Sequence, residues 1–302
     1  NHFYYEIHNA AYPAKMAWDT ARFLREDDWL AETAWPVIEA SARFYSSVLE
    51  RGGDGLWGIH VLPSMGQDEM GGPDAADYLC ALYAARYTLT IAVAAAERLG
   101  RKGPDLERWL GILGEGLAFE RLRHPGTGLL LTNRNVLDGS NLGRQKHPVQ
   151  LQPLVFTPLP GKPDADGVKA FLKRDQLCLR GTERPRWSTG WTLATYWAAA
   201  TRLGLSAELE IMLSDATLQN SCDREGLSFR ETIGSPGNMY YLANHGLFMQ
   251  ALQDGFADDT FGSAQFGKLA TLWPSARCQG LCLADGRRVS GAIADLSRKE
   301  AK

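Results

Sequence analysis

Two loops place carboxylates beside aromatic rings and glycines rather than on the solvated faces of helices. One, Pro63-Ser-Met-Gly-Gln-Asp-Glu-Met-Gly-Gly-Pro73, holds Asp68 and Glu69. The other, Leu227-Ser-Phe-Arg-Glu-Thr-Ile-Gly-Ser-Pro-Gly-Asn238, holds Glu231. Each precedes an apolar, helix-forming run, and loops at one end of a scaffold are where sites are built. Two carboxyls delivered by two loops are the minimum equipment for glycoside hydrolysis. One must be protonated to donate to the leaving oxygen, and the other ionised to activate water or attack. An apolar surround raises the donor's pKa, as the acid role requires. The plainer alternative is that Asp68 and Glu69 favour the N-terminus of a helix starting near Asp74.

Other reactive groups are poorer candidates. Ser188 and Ser235 lack the Gly-x-Ser-x-Gly elbow of a hydrolase, and no His-Glu-x-x-His is present. His147 and His245 are too far apart to form a helical ligand pair, and His245 reads as either a structural or a substrate-contacting ring. Gly234-Ser-Pro-Gly237 suits an anion cradle or a tight turn equally well. Cys80, Cys178, Cys222, Cys278 and Cys282 are too sparse for a disulfide scaffold. Cys278-x-x-x-Cys282 has no second Cys/His pair beside it, so no metal site is expected, and no cofactor.

The elements that must position these loops are helices. Periodicity predicts them over Pro13 to about Arg25, Trp35–Leu49, Asp74–Leu99 and Pro104 to about Leu122. Further helices are predicted over Val149–Phe156, Ala165–Arg174, Thr192–Leu203, Ala207–Asn220 and Met239–Asp254. Pro36 suits a first turn and Gly100 a C-terminal cap. His124–Gln145 reads as loop, and after Asp254 the pattern turns to short strands. The segment Asp74–Leu99 is apolar almost all round and should be buried on most sides. Very apolar helices alternate with amphipathic ones, as in a double-layered ring of helical hairpins. The expected fold is therefore all-α, an (α/α)6 toroid over residues 1–258, with a short β-rich segment over 259–302. About nine helices stand where such a ring needs about twelve, so part of the ring is expected to be missing from this sequence. No βαβ alternation or phosphate-loop glycine pattern occurs.

Composition agrees with an ordinary globular chain of 302 residues, 45% hydrophobic and 22% charged, which excludes disorder, collagen and coiled coil. A net charge of −3 gives no electrostatic case for nucleic acid or an anionic membrane as partner. Nine Trp and ten Tyr supply flat amphipathic rings, useful for stacking on sugars as well as for core packing. No signal-peptide pattern opens the chain, and its most apolar stretch, Leu79–Leu99, is interrupted by Arg86, Glu97 and Arg98.

At the two acidic loops the chain resembles glycoside hydrolase family 65, which includes acid trehalases, maltose- and kojibiose-type phosphorylases and glucosylgalactosyl-hydroxylysine glucosidases. Gly66-Gln-Asp-Glu69 followed by Gly72-Pro-Asp-Ala-Ala-Asp-Tyr78 is similar to that family's Gly-Pro-Asp-Glu-Tyr-His…Asn-Asn-x-Tyr segment. Tyr5-Glu-Ile-His-Asn-Ala-Ala-Tyr12, Trp35-Pro-Val-Ile-Glu-Ala and Ala42-Arg-Phe-Tyr45 resemble the hairpin ahead of it. Gln145-Lys-His-Pro148 sits where the family has a sugar-contacting Lys-Gln pair, and Thr189-Gly-Trp-Thr192 resembles a later loop. Phe229-Arg-Glu-Thr232 with Asn238-Met-Tyr-Tyr-Leu-Ala-Asn-His-Gly-Leu-Phe-Met-Gln250 looks like the hydrolase members' base region. Departures are Met70-Gly71 after the acid, Ala76-Asp77 for the Asn pair, and Asn244-His245 for Gly-x, all at positions that shape the sugar pocket.

The resemblance implies an inverting hydrolase of an α-glycosidic bond, with Glu69 as general acid and Glu231 as general base. Such a pair stands about 6.5–9.5 Å apart. Asp68 would orient the acid, Lys146 and His147 would bind sugar hydroxyls, and Trp191, Tyr240 and His245 would line the pocket. The partner is a carbohydrate substrate. The family's leading β-sandwich and first barrel helices, absent from this sequence, are expected as the remaining N-terminal part of the same enzyme. Two alternatives stay open: an inverting phosphorylase of the same fold, and a non-catalytic carbohydrate-binding toroid. Arg230-Glu-Thr-Ile-Gly-Ser235 stands where phosphorylases carry an anion loop, and a carboxylate there should repel phosphate.

Overall fold

The computed structural model describes residues 6–60, 76–134, 147–178, 190–214, 229–231 and 241–300, with the side chains of 175–178, 211–214 and 299–300 excepted. The protein is mostly helical with a few short strands. It divides into two compact units, Asn1–Gly139 with Ala284–Gly286 and Ser140–Leu283 with Arg287–Lys302.

In the first unit, α1 (Ala11–Leu24), α3 (Trp35–Val48) and α5 (Pro104–Glu115) all pack on α4 (Leu79–Arg98). The expected start of a helix at Trp35 is instead the middle of one. A short α2 (Asp27–Trp29) runs through a wide π-type turn, Leu30–Ala34, directly into α3. Pro36 has no N–H for the ladder and its ring crowds the preceding turn, so the widened turn just before it accommodates the proline. Helix α4 is buried along nearly its whole length, from Leu79 and Leu82 to Ala95 and Ala96, as its all-round apolarity requires. By length and hydropathy it alone among the described helices could cross a bilayer, but 78% of that window is buried inside the protein.

The start of α4 differs from expectation. Asp77 adopts a left-handed φ of +56°, and its N–H donates to Ile59 O at 2.8 Å, so the chain is not yet helical there. The helix therefore begins at Leu79, and its first turn holds no acidic residue. Its end follows expectation. Gly100, at φ +64°, donates to Glu97 O at 3.0 Å, and Arg101 N–H donates to Ala96 O at 2.8 Å, a Schellman cap. Beyond α5, the segment read as continuous helix to Leu122 breaks at Gly116 and resumes as a 3-10 turn, Ala118–Leu122. An antiparallel pair, β1 (Leu49–Arg51) and β2 (Trp57–Ile59), completes the unit.

The second unit is built on α8 (Gly190–Leu203), which packs along α10 (Leu242–Phe256). Around it lie α6 (Gln152–Val155), α7 (Ala165–Cys178) and α9 (Ser206–Ser214). Helix α8 is buried from Gly190 through Arg202, the same apolar-all-round case as α4. Its buried Arg202 donates to Asp254 Oδ2 at 2.7 Å and to Leu154 O and Val155 O at 2.8 and 2.7 Å. Lys268 Nζ adds bonds of 2.6 Å to Arg202 O and to Asp258 Oδ2, so α6, α8, α10 and β3 (Ala257–Asp258) are tied through one charged cluster. Burial pushes the Asp254 carboxyl up, against the pull of Arg202. Burial also acts to raise Asp258, but Lys268 outweighs it and holds this carboxyl below its usual range.

After Asp254 the chain forms the expected short strands, in two antiparallel pairs. These are β3 (Ala257–Asp258) with β4 (Gln265–Phe266), and β5 (Arg277–Cys282) with β6 (Arg288–Ala292). They close over a small core of Ala257, Leu283, Val289 and Leu296, the last contributed by α11 (Ile293–Glu300).

Candidate functional site

The segment carrying Glu231 is pinned against the N-terminal ends of α8 and α10. A helix start leaves its first N–H groups without intrahelical acceptors. Gly190, the first residue of α8, spends its N–H on Glu231 O at 2.8 Å. Asn244, in the first turn of α10, donates from Nδ2 to Arg230 O at 2.8 Å. Tyr241 N–H donates to Phe229 O at 2.9 Å, and Phe229 N–H donates to His245 Nε2 at 3.3 Å. His245 Nδ1 faces Tyr241 O at 3.0 Å, so the hydrogen bonds select the neutral tautomer protonated at Nδ1. Three consecutive peptide groups, 229–231, are thus held by two helices.

This grip needs a residue without a side chain at position 190. A Cβ there would stand 2.2 Å from both Arg230 O and Asn244 Nδ2. Gly190→Ala is expected to cost about 1–3 kcal/mol and displace the 229–231 segment. Chemical denaturation together with hydrogen exchange of the Gly190 amide would check it.

Aromatic rings fill the space beneath. Phe229 is buried against Phe248 and His245, each with a ring centroid 5.1 Å away, and against Trp197 at 6.0 Å. Trp191, next to Gly190, lies parallel to Phe156 at 5.3 Å and receives the edge of His147 at 4.8 Å. With only 8% of its surface exposed, Trp191 serves as a backing for His147 more than as an open platform. His147, Trp191, Glu231 and His245, four residues singled out from sequence, therefore gather at one end of the α8–α10 pair. Glu69, Asp68, Lys146 and Tyr240 lie outside the described residues, and so does the separation of the two carboxyls.

No family model and no curated protein matches this chain.

In the first unit, the ends of the segment that carries Asp68 and Glu69 are clasped. Ile59 N–H donates to Asp77 Oδ1 at 2.9 Å while Asp77 N–H returns a bond to Ile59 O at 2.8 Å. Asp77 is 1% exposed, and Arg121 and Arg134 approach its other oxygen at 3.4 and 3.6 Å. Arg121 also grips Asp54, whose carboxyl it holds well below the usual range. Arg134 N–H reaches Ala76 O at 3.4 Å, so the stem of the following loop starts beside this clasp.

Sequence reading passed over Gly190, Asn244, Asp77 and Arg121 as structural parts of these loops. Asn244 and Asp77 were visible only as departures from a family pattern, and their partners lie 14 and 18 residues away. Among the described residues no group of His, Cys, Asp and Glu side chains is arranged to hold a metal ion. Cys80, Cys278 and Cys282 are not in disulfide bonds.

Proposed function

We propose that this chain is the greater part of an (α/α)6 barrel from an inverting glycoside hydrolase acting on an α-linked di- or oligosaccharide. The observation that carries the reading is the gathering of Glu231, His147, Trp191 and His245 at one pair of helix starts. It supports a built pocket rim rather than a solvated acidic loop.

In this mechanism the Glu231 carboxylate takes a proton from water as that water attacks the anomeric carbon. Glu69 gives its proton to the glycosidic oxygen on the opposite side, and the bond to the aglycone breaks. The products are a β-configured reducing sugar and the free alcohol of the aglycone. Asp68 orients the acid. Lys146 and His147 bind sugar hydroxyls, with His147 held in place by Trp191, and Tyr240 lines the pocket. His245 acts through backbone, by holding the peptide two residues before Glu231.

The test is a panel of α-linked glucosides, galactosides and rhamnosides given to the full-length protein, with the product anomer followed by NMR. Release of the β-anomer without phosphate is expected. Release of the α-anomer, strict dependence on phosphate, or no turnover on any member would overturn the reading.

A further inference from the structure

The two carbonyls that flank the Glu231 Cα are held by two different groups. The peptide before it is anchored through Arg230 O, which accepts from Asn244 Nδ2 at 2.8 Å. The peptide after it is anchored through Glu231 O, which accepts from the Gly190 N–H at 2.8 Å. Planar peptides leave each residue only two soft torsions, φ and ψ. Anchoring both planes restricts both torsions of Glu231, and with them the direction in which its Cα–Cβ bond leaves the backbone.

The Gly190 anchor is a backbone group that any helix start offers. The Asn244 anchor is a side chain, and an unusual one for its place. It is 0% exposed, and its own N–H donates to Tyr241 O at 3.0 Å. Its amide is wedged against the backbone at position 190, where a Cβ would stand 2.2 Å from Nδ2 and 3.2 Å from Cγ. Among the described residues the amide oxygen, Oδ1, has no hydrogen-bond partner. A buried acceptor without a donor costs free energy, and a leucine of similar volume would not incur that cost. The bond Asn244 makes is offset by the one it lacks, so stability gives little reason for an amide here. What the amide supplies, and a leucine cannot, is a donor to Arg230 O.

We propose that Asn244 is a positioning residue for the base, fixing the Arg230–Glu231 peptide so that the Glu231 carboxylate faces the attacking water. This role rests on the hydrolase reading above, with Glu231 as base. Sealed from solvent, Asn244 acts through the backbone and not on the sugar.

The experiment compares Asn244→Leu, Asn244→Asp and Glu231→Gln with the parent full-length protein. It follows kcat, KM and melting temperature against pH, on the best substrate of the α-glycoside panel. Asn244→Leu keeps the volume and loses the donor. Its kcat should fall by about 10²-fold, the usual cost of a misplacement of about 1 Å, with KM and melting temperature close to the parent's. Asn244→Asp keeps the shape. Its ionised carboxylate repels Arg230 O, whereas its protonated form, favoured by burial as pH falls, donates to that oxygen. The ratio of its kcat to the parent's should therefore rise as pH falls, while the ratio for Asn244→Leu stays flat. A residue that only packs would move the melting temperature and leave both ratios independent of pH. Should either variant not fold, Asn244→Ala, which needs no new space, takes its place with the expectation given for Asn244→Leu.

The parent's kcat in Asn244→Leu, beside a Glu231→Gln that has lost activity, would overturn the positioning role and leave the base in place. Flat ratios for both Asn244 variants would overturn the bond to Arg230 O as its cause. A parent without turnover, or a Glu231→Gln as active as the parent, would overturn the base assignment and this role with it.

Discussion

Under the proposed mechanism, Glu231→Gln is expected to lower kcat for glycoside hydrolysis by about 10²–10⁴-fold, the usual worth of a positioned general base. A thousandfold loss corresponds to about 4 kcal/mol of transition-state stabilisation. The substitution keeps the side-chain length and the Glu231 carbonyl that accepts from Gly190, so the pinned segment should stay in place. An amide cannot take the proton from the attacking water, and that is the only function removed. KM should therefore change little while kcat falls, and the acidic limb of the kcat/KM profile should disappear. Azide, a nucleophile that needs no deprotonation, should restore turnover and give a glycosyl azide of inverted configuration. Measuring kcat, KM and the pH profile on the best substrate decides the matter. A variant with the parent's kcat would remove Glu231 from the chemistry.

The largest stability effect should come from the buried charges of the second unit. Asp254→Ala leaves the Arg202 guanidinium 4% exposed with two carbonyls and no counter-charge. Breaking such a pair costs about 3–5 kcal/mol, a large share of the roughly 5–15 kcal/mol that holds an ordinary domain. Replacing both partners, Arg202→Met with Asp254→Leu, should recover much of the loss, since no lone buried charge then remains. Guanidinium denaturation of the two variants and the parent measures the difference. Equal midpoints for Asp254→Ala and the parent would show that the pair carries no stability.

The same cluster gives a pH dependence whose sign follows from its shifts. Lys268 holds Asp258 below its usual range, so this carboxylate stabilises the fold above the unfolded aspartate pKa. That contribution is lost as pH falls through the lower folded value. Asp254 has the opposite sign, because burial raises it and its proton is bound more tightly in the folded state. Asp258→Asn should therefore flatten the acid limb of the melting profile below the ordinary aspartate range of about pH 4. A profile unchanged in slope would count against the Lys268 pair as its source.

The apolar helices were legible in advance, because helical periodicity and all-round apolarity are local properties of the chain. The segment Leu79–Arg98 declares its burial in its own residues, and Gly190–Leu203 turns out to be the same case. Charged and polar residues declare nothing comparable. Arg202, Asp254 and Lys268 look like surface charges in sequence, and only the packing of α8 on α10 brings them together inside. Asp77 reads as part of a helix start until its bond with Ile59 forces a left-handed turn.

Loop composition likewise drew attention to Glu231 without showing what holds it. The sequence by itself determined a mostly helical chain and the deep burial of α4. These follow from side-chain type and spacing over a few residues. The tertiary structure decided which N–H groups at the helix starts take up the 229–231 carbonyls and which charges lose their water. Each of those depends on atoms from distant segments meeting within about 3 Å, a condition that local spacing does not specify.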